Sequence, residues 1–221
     1  MTTLLRIDAS LRLDGSVSRA LADSAEAAWK SEHPNGVVVR RDLGLHPIPA
    51  GVWPALVTEK FGAEVPAGAD FTDPVEAKAL AADIIGEFKT ADAVLLAVPL
   101  YNYGIAQHVK AYIDLLLTDQ DLLTGTAVAG QPIIFTLARG GGYAPGTPKE
   151  GWDHATPYLN RIFGEVFNMN IRTAAAELTL APVTPGMEEL VDLSKVSEQD
   201  AHTTAGEHAA EVARSLTSNA A

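Results

Sequence analysis

The run DAVLLAVP, residues 92–99, is apolar from Ala93 to Pro99 and leads straight into LYNYGI, residues 100–105. An uninterrupted apolar run of that length reads as a strand covered on both faces, the situation of a parallel strand between helical layers. Working outward, the pattern predicts a helix from Ile105 to Leu117 after it. Before it, a helix opens with Thr72 or Asp73 as N-cap and Pro74 in the first turn, and runs to Lys89. Toward the amino end, Thr3–Ala9 and Val37–Arg41 read as strands. Between them Ser18–Lys30 reads as a helix with Leu21, Ala25, Ala28 and Trp29 on one face. His46-Pro47-Ile48-Pro49 closes the second strand as a loop. Residues 51–72 hold a short helix around Pro54–Phe61 and an exposed loop. Toward the carboxyl end, Ile133–Ala138 and Arg172–Leu178 are expected strands, with helices at Thr156–Phe167 and Ser197–Ser215. Five strands alternating with helices specify an α/β fold with a doubly wound parallel sheet, Rossmann-like or flavodoxin-like. A length of 221 residues suits one domain, 1–221.

Composition removes several functions. The chain has no cysteine, which excludes disulfides, thiolate metal sites and a cysteine nucleophile and fits a reducing compartment. Arg6, Asp8 and Arg12 fall where an export signal needs an apolar core, so a cytoplasmic protein is expected. Ala93–Val109 lacks Asp, Glu, Lys and Arg, but Pro99, Asn102, Gln107 and His108 make it a poor lipid-spanning segment. A net charge of −12 argues against a nucleic-acid surface. From Met187 to Glu211 seven acids face Lys195 alone, a pattern that reads as a solvated helix face. The histidines are scattered without metal-ligand spacing, and neither H-E-x-x-H nor G-x-S-x-G occurs. His108 and Asp114, six residues apart on one helix, read as surface and packing residues. Trp53 and Trp152 read either as core plugs or as parts of a pocket shared between subunits.

Ligands of an open parallel sheet bind beyond the carboxyl ends of its strands. After the first strand come Ser10, Gly15, Ser16, Val17 and Ser18, where hydroxyls and free amides at a helix start suit a phosphate. Ser16 and Ser18 serve equally well as ordinary N-caps, and both readings stand. A dinucleotide G-x-G-x-x-G is missing from this loop, and Gly141–Gly146 is followed by Thr147-Pro148 rather than the Lys-Ser/Thr of a P-loop. A hydroxyl-built loop for a terminal monophosphate is the style of an FMN site. Leu100, Tyr101, Asn102 and Tyr103 offer aromatic faces and backbone amides to a flat heteroaromatic ring. Ala138, Arg139, Gly140 and Gly141 let the backbone approach a ligand, with Arg139 supplying positive charge for a reduced flavin. Tyr143 either covers the ring or pins its own loop.

These motifs together resemble the FMN-dependent NADH-azoreductase and NADH:quinone oxidoreductase family of flavodoxin-like fold. The likeness runs through Ser10, Ser16–Arg19, Arg41-Asp42-Leu43, Pro99–Ile105, Val109–Asp114, Ala138–Gly141 and Pro157-Tyr158-Leu159. It implies a flavodoxin-like five-stranded sheet with helices on both faces, bound FMN, and NADH or NADPH as co-substrate. It further implies Ser10 and residues 16–18 at the ribityl phosphate, and Leu100–Tyr103 and Ala138–Gly141 around the isoalloxazine ring. The implied acceptors are quinones and azo compounds, the latter cleaved to amines, and the implied assembly is a homodimer with active sites at the interface. Two departures stand out: the segment Thr118–Gly130 is short and free of aromatics, and Gly164-Glu165 follows Tyr158-Leu159 where the family has glycine and phenylalanine. Both are expected to widen the acceptor pocket. The alternatives are a flavodoxin-type electron carrier for a protein partner and a hydrolase acting on a phosphopantetheine ester, the latter opposed by the lack of a nucleophile–histidine pair.

Overall fold

The computed structural model describes residues 1–219. Over these residues the strands are β1 (Thr3–Asp8), β2 (Val37–Asp42), β3 (Ala93–Pro99), β4 (Pro132–Ala138) and β5 (Asn170–Ala176). They form one sheet in the order β2-β1-β3-β4-β5, every neighbouring pair parallel. That order is the flavodoxin-like one, with its reversal between β1 and β3. The helices are α1 (Val17–Glu32), α2 (Val52–Lys60), α3 (Pro74–Thr90), α4 (Gln107–Leu116), α5 (Gln120–Leu123), α6 (Ala155–Leu159) and α7 (Val191–Asn219).

All of β3 is buried, and its alternation divides the core. Val94, Leu96 and Val98 join Ile84, Phe88, Tyr112 and Phe163 on the face covered by α3, α4 and α6. Ala93, Leu95 and Ala97 join Ala25, Trp29, Ala205 and Ala209 on the face covered by α1 and α7. At about 1.5–3 kcal/mol for each fully buried large aliphatic side chain, this strand is a main source of stability. Asp73 is the cap before Pro74, its carboxylate accepting from the amides of Val75 and Glu76.

Three boundaries differ from the pattern. The strand expected at Arg172–Leu178 begins two residues earlier, in register with Pro132. The helix expected at Thr156–Phe167 opens with the Asp153 carboxylate capping the amides of Ala155 and Thr156, then loosens into a π-helix from Asn160 to Val166. The closing helix begins at Val191, because the Ser197 hydroxyl accepts a bond from the Glu177 amide instead of capping its own helix. Trp53 and Trp152 are 43% and 51% exposed and plug no core, whereas Trp29 is fully buried.

Beneath α1 lies a buried ion network. Arg6 is 5% exposed and donates to Asp8 at 2.9 Å, Asp23 at 2.6 Å and Glu26 at 3.0 Å. Glu26 also pairs with Lys30 and Arg40. Burial, the largest single influence, pushes the Glu26 carboxyl upward. The bonds from Lys30 and Arg6 and the charge of Arg40 outweigh it and hold the group below its ordinary value of 4.5. A depressed carboxyl contributes stability above its unfolded value and loses it as pH falls through the folded one. Glu26→Gln should therefore lower stability by about 1–3 kcal/mol at pH 7, the worth of hydrogen bonds to a charged group. Urea unfolding should show that gap between wild type and variant constant from pH 7 to about 4.5 and shrinking below it; a gap that widens in acid would disprove the assignment.

Candidate active site

Helix α1 starts at the carboxyl end of β1 with Ser16 as its N-cap residue, yet the Ser16 side chain makes no capping bond. Its hydroxyl instead sits 3.5 Å from that of Ser18, and both side chains are buried. The first helical bond runs from the Ala20 amide to the Ser16 carbonyl, so the amides of Val17, Ser18 and Arg19 precede the ladder. Hydroxyls that do not cap, beside helix-start amides that need acceptors, favour the anion reading over plain capping. Ser10 is fixed from three sides. The Arg12 amide donates to its hydroxyl at 3.2 Å, and Arg19 donates to its carbonyl at 2.7 Å while pairing with Asp42. Gly44 passes so close that a Cβ there would meet the Ser10 carbonyl oxygen at 2.2 Å. His108 is buried, and its ring donates to the Ala9 carbonyl at 2.6 Å, pinning the residue before Ser10.

After β3, Tyr101 and Gly104 exchange two backbone bonds across a tight turn. Its central residues, Asn102 and Tyr103, both have positive φ, 49° and 67°. These are type I′ turn angles, comfortable for asparagine and costing about 1–2 kcal/mol for tyrosine. The turn is held nonetheless: the His154 amide donates to the Tyr103 carbonyl at 2.8 Å, and the Tyr101 hydroxyl accepts from Leu11 at 3.2 Å. That last bond ties the serine loop to the aromatic loop.

A cleft of about 160 Å³ opens between these loops at the sheet's carboxyl edge. Ser10, Ser16, Val17 and Ser18 line one end; Leu100, Tyr101, Ala138 and Gly140 line the other. Asn102, Tyr103, Arg139 and Gly141 stand at the same edge outside that lining. Gly15 of the serine loop lines it too, as do Arg12, Thr179 and Leu180, which were not singled out in the sequence. Arg12 lay in plain view in the serine loop. Thr179 and Leu180 follow β5, and extending the carboxyl-edge rule to the last strand would have found them. A hollow of about 560 Å³ lies at the opposite edge, around Asp92, Gly130 and Gln131, away from all these loops.

Two expectations need correction. Arg139 is not a free charge: it pairs with Asp153 at 3.0 Å and Glu177 at 2.9 Å and donates to Thr156. The short segment Thr118–Gly130 does not wall the cleft either. Its Asp119 and Asp121 pair with Lys89 at the end of α3, and Gly130 bonds Asn168 before β5, which puts it at the amino edge. Glu165, paired with Arg161 near the start of β5, belongs to that edge as well. Phe163 and Phe167 are fully buried in the core. These positions cannot tune an acceptor in the cleft of their own chain.

Residues 2–188 match the protein-family model described as a flavodoxin-like fold. An FMN-dependent NADH:quinone oxidoreductase of Frankia casuarinae is 36% identical over 93% of this chain and 97% of that protein. The chain belongs to this family. A second relative of the same name, from Streptomyces avermitilis, is 36% identical over 96% of the chain and 98% of its own length. The structure of an azoreductase from Bacillus anthracis superposes with a TM-score of 0.74 at 24% identity, covering 96% of this chain and all of that one, and shares the fold.

Within this family member, Glu177 holds the glycine loop. One carboxylate oxygen takes the Arg139 guanidinium, and the other accepts from the amides of Tyr143 and Ala144 at 3.0 and 3.3 Å. Burial, with Tyr103, Asp153 and Glu177 nearby, pushes the Tyr143 hydroxyl above its ordinary value. Glu177→Ala should cost about 1–3 kcal/mol and free two amides. Amide exchange at Tyr143 and Ala144 should then speed up more than the global loss of stability explains; equal acceleration everywhere would contradict a local clamp.

Proposed function

We propose that the chain is an FMN-dependent oxidoreductase that takes two electrons from NADH or NADPH and delivers them to quinones and azo compounds. The observation that carries this reading is the buried Ser16–Ser18 pair, whose hydroxyls leave the helix uncapped at the cleft's end. The near-full-length relatives named FMN-dependent NADH:quinone oxidoreductases support it.

The donor set fits FMN. Ser10, Ser16, Val17 and Ser18 would hold the terminal phosphate through hydroxyls and helix-start amides, helped by the positive end of α1. Arg12, which has no carboxylate partner among the described residues, would complement its charge locally in a chain of net charge −12. Leu100–Tyr103 and Ala138–Gly141 would flank the ring. Bound there, FMN supplies hydride and electron transfer; the protein supplies position and exclusion of water. Arg139, neutralised by its two carboxylates, would act by fixing the Gly140–Gly141 backbone rather than by its charge. Replacing both Ser16 and Ser18 by alanine should weaken FMN binding by about 1.5–3 kcal/mol per lost bond, read by fluorescence titration. Unchanged affinity would return those serines to a structural role.

A cleft open on one side offers one place to both substrates, so they bind in turn. Initial rates against NADH at several fixed quinone concentrations should give parallel double-reciprocal lines; intersecting lines would defeat the shared site. The visible spectrum of the purified protein tests the cofactor directly. We also propose a cytoplasmic homodimer with the sites at its interface. Supporting this, Trp53 and Trp152 are half exposed and Phe61 is 77% exposed. No helix among the described residues is long and apolar enough to cross a membrane. A monomer mass by light scattering in fully active protein at micromolar concentration would exclude the dimer.

A further inference from the structure

The loop after β4 folds back on itself and leaves one cation unused. Lys149 lies across Gly141, where a Cβ would meet its Nζ at 3.2 Å, so the lysine stem rests closely on the glycine backbone. Its ammonium sits 5.8 Å from the centre of the Tyr103 ring and 5.7 Å from that of Tyr143. Cation–π contacts of this kind stabilise an ammonium only modestly. Asp153 and Glu177 hold Arg139, and Glu150 accepts from the Gly146 amide. Among the described residues Lys149 forms no ion pair, although the chain carries twelve excess negative charges. Beside it, Trp152 meets Tyr103 edge to face at 5.5 Å, and both rings are about half exposed.

An unpaired, half-buried cation over the Tyr103 ring, with the half-exposed Trp152 against that ring, is a receptor for a flat ring that bears an anion. We propose that Lys149, Tyr103 and Trp152 recognise planar aromatic acceptors carrying a sulfonate or carboxylate. The aromatic pair takes the ring, and the ammonium takes the anionic substituent. The inference rests on the reading of the chain as a quinone- and azo-reducing enzyme, and it narrows the acceptor class. It also gives positive charge at this edge to Lys149 rather than to Arg139.

The test compares 1,4-naphthoquinone with its 2-sulfonate on the purified holoenzyme. In Lys149→Gln, KM for the sulfonate should rise about tenfold with kcat and the neutral quinone within about twofold, as expected for one lost charge-assisted contact. Lys149→Arg should restore the preference. In parallel, anthraquinone-2-sulfonate should quench tryptophan fluorescence of the oxidised protein. That quenching should weaken in Lys149→Gln and vanish in Trp152→Phe/Trp53-retaining protein. An unchanged sulfonate-to-neutral ratio, or equal loss with both quinones, would overturn the proposal. So would an effect confined to the KM for NADH, which would assign the lysine to the nucleotide's phosphates. Protein purified without FMN would sink the proposed function instead, while the quenching titration would still decide this site.

Discussion

A strand can join its neighbour in parallel only if the chain is carried back across the sheet, so each connection leaves from one edge and returns at the other. Here the constraint applies to all five strands, and it gathers every strand-to-helix loop at the carboxyl edge. Because β2 lies on one side of β1 and β3 on the other, the loops after β1 and β3 diverge and leave a crevice between them. The serine loop, the Tyr101–Gly104 turn and the Arg139–Gly141 loop meet there because of this topology, not because they are near in sequence. The buried Val94, Leu96 and Val98 on one face and Leu95 on the other hold the central strand that makes the arrangement rigid.

Charge then fixes what topology brings near. Arg6 and Arg19 extend from β1 and α1 and tie those elements to Asp8, Asp23, Glu26 and Asp42. Isolated, the buried Arg6, Asp8 or Glu26 would each cost several kcal/mol; paired and hydrogen-bonded, they tie α1 to the sheet. The same logic recurs at the other end of the cleft, where Arg139 is neutralised by Asp153 and Glu177. Both clusters spend their charge on geometry, which is why the cleft's own donors are hydroxyls and amides.

What the sequence made legible was whatever local chemistry decides. The apolar 92–99 run, Pro74 behind an acidic cap, and the hydroxyls beside Gly15 all occupy the elements their patterns implied. What stayed hidden depends on partners far along the chain. Arg139 looked free because the carboxylates that claim it are at 153 and 177. Ser197 looked like a helix start because nothing nearby shows that its hydroxyl serves Glu177. The segment 118–130 looked like a pocket wall because likeness to a family orders residues along the chain and not in space. Lys89 pulls that segment to the amino edge through Asp119 and Asp121.

The pairing of α1 with α7 governs how the protein is born. Ala201, Ala205, Ala209 and Ala213 recur every fourth residue along α7, so a strip without bulk closes over α1 and the β3–β5 face. Further out, Ser24 bonds His202, and Glu32 bonds Arg214, across more than 170 positions. Helix α1 packs on β3 and β4, yet the side of it that faces α7 is covered only when α7 emerges after every strand. At about 5–20 residues per second, a ribosome leaves that side of the nascent chain bare for roughly ten seconds or more. During synthesis the Trp29 face is therefore the surface a chaperone would meet, and the last helix acts as the latch that ends its exposure.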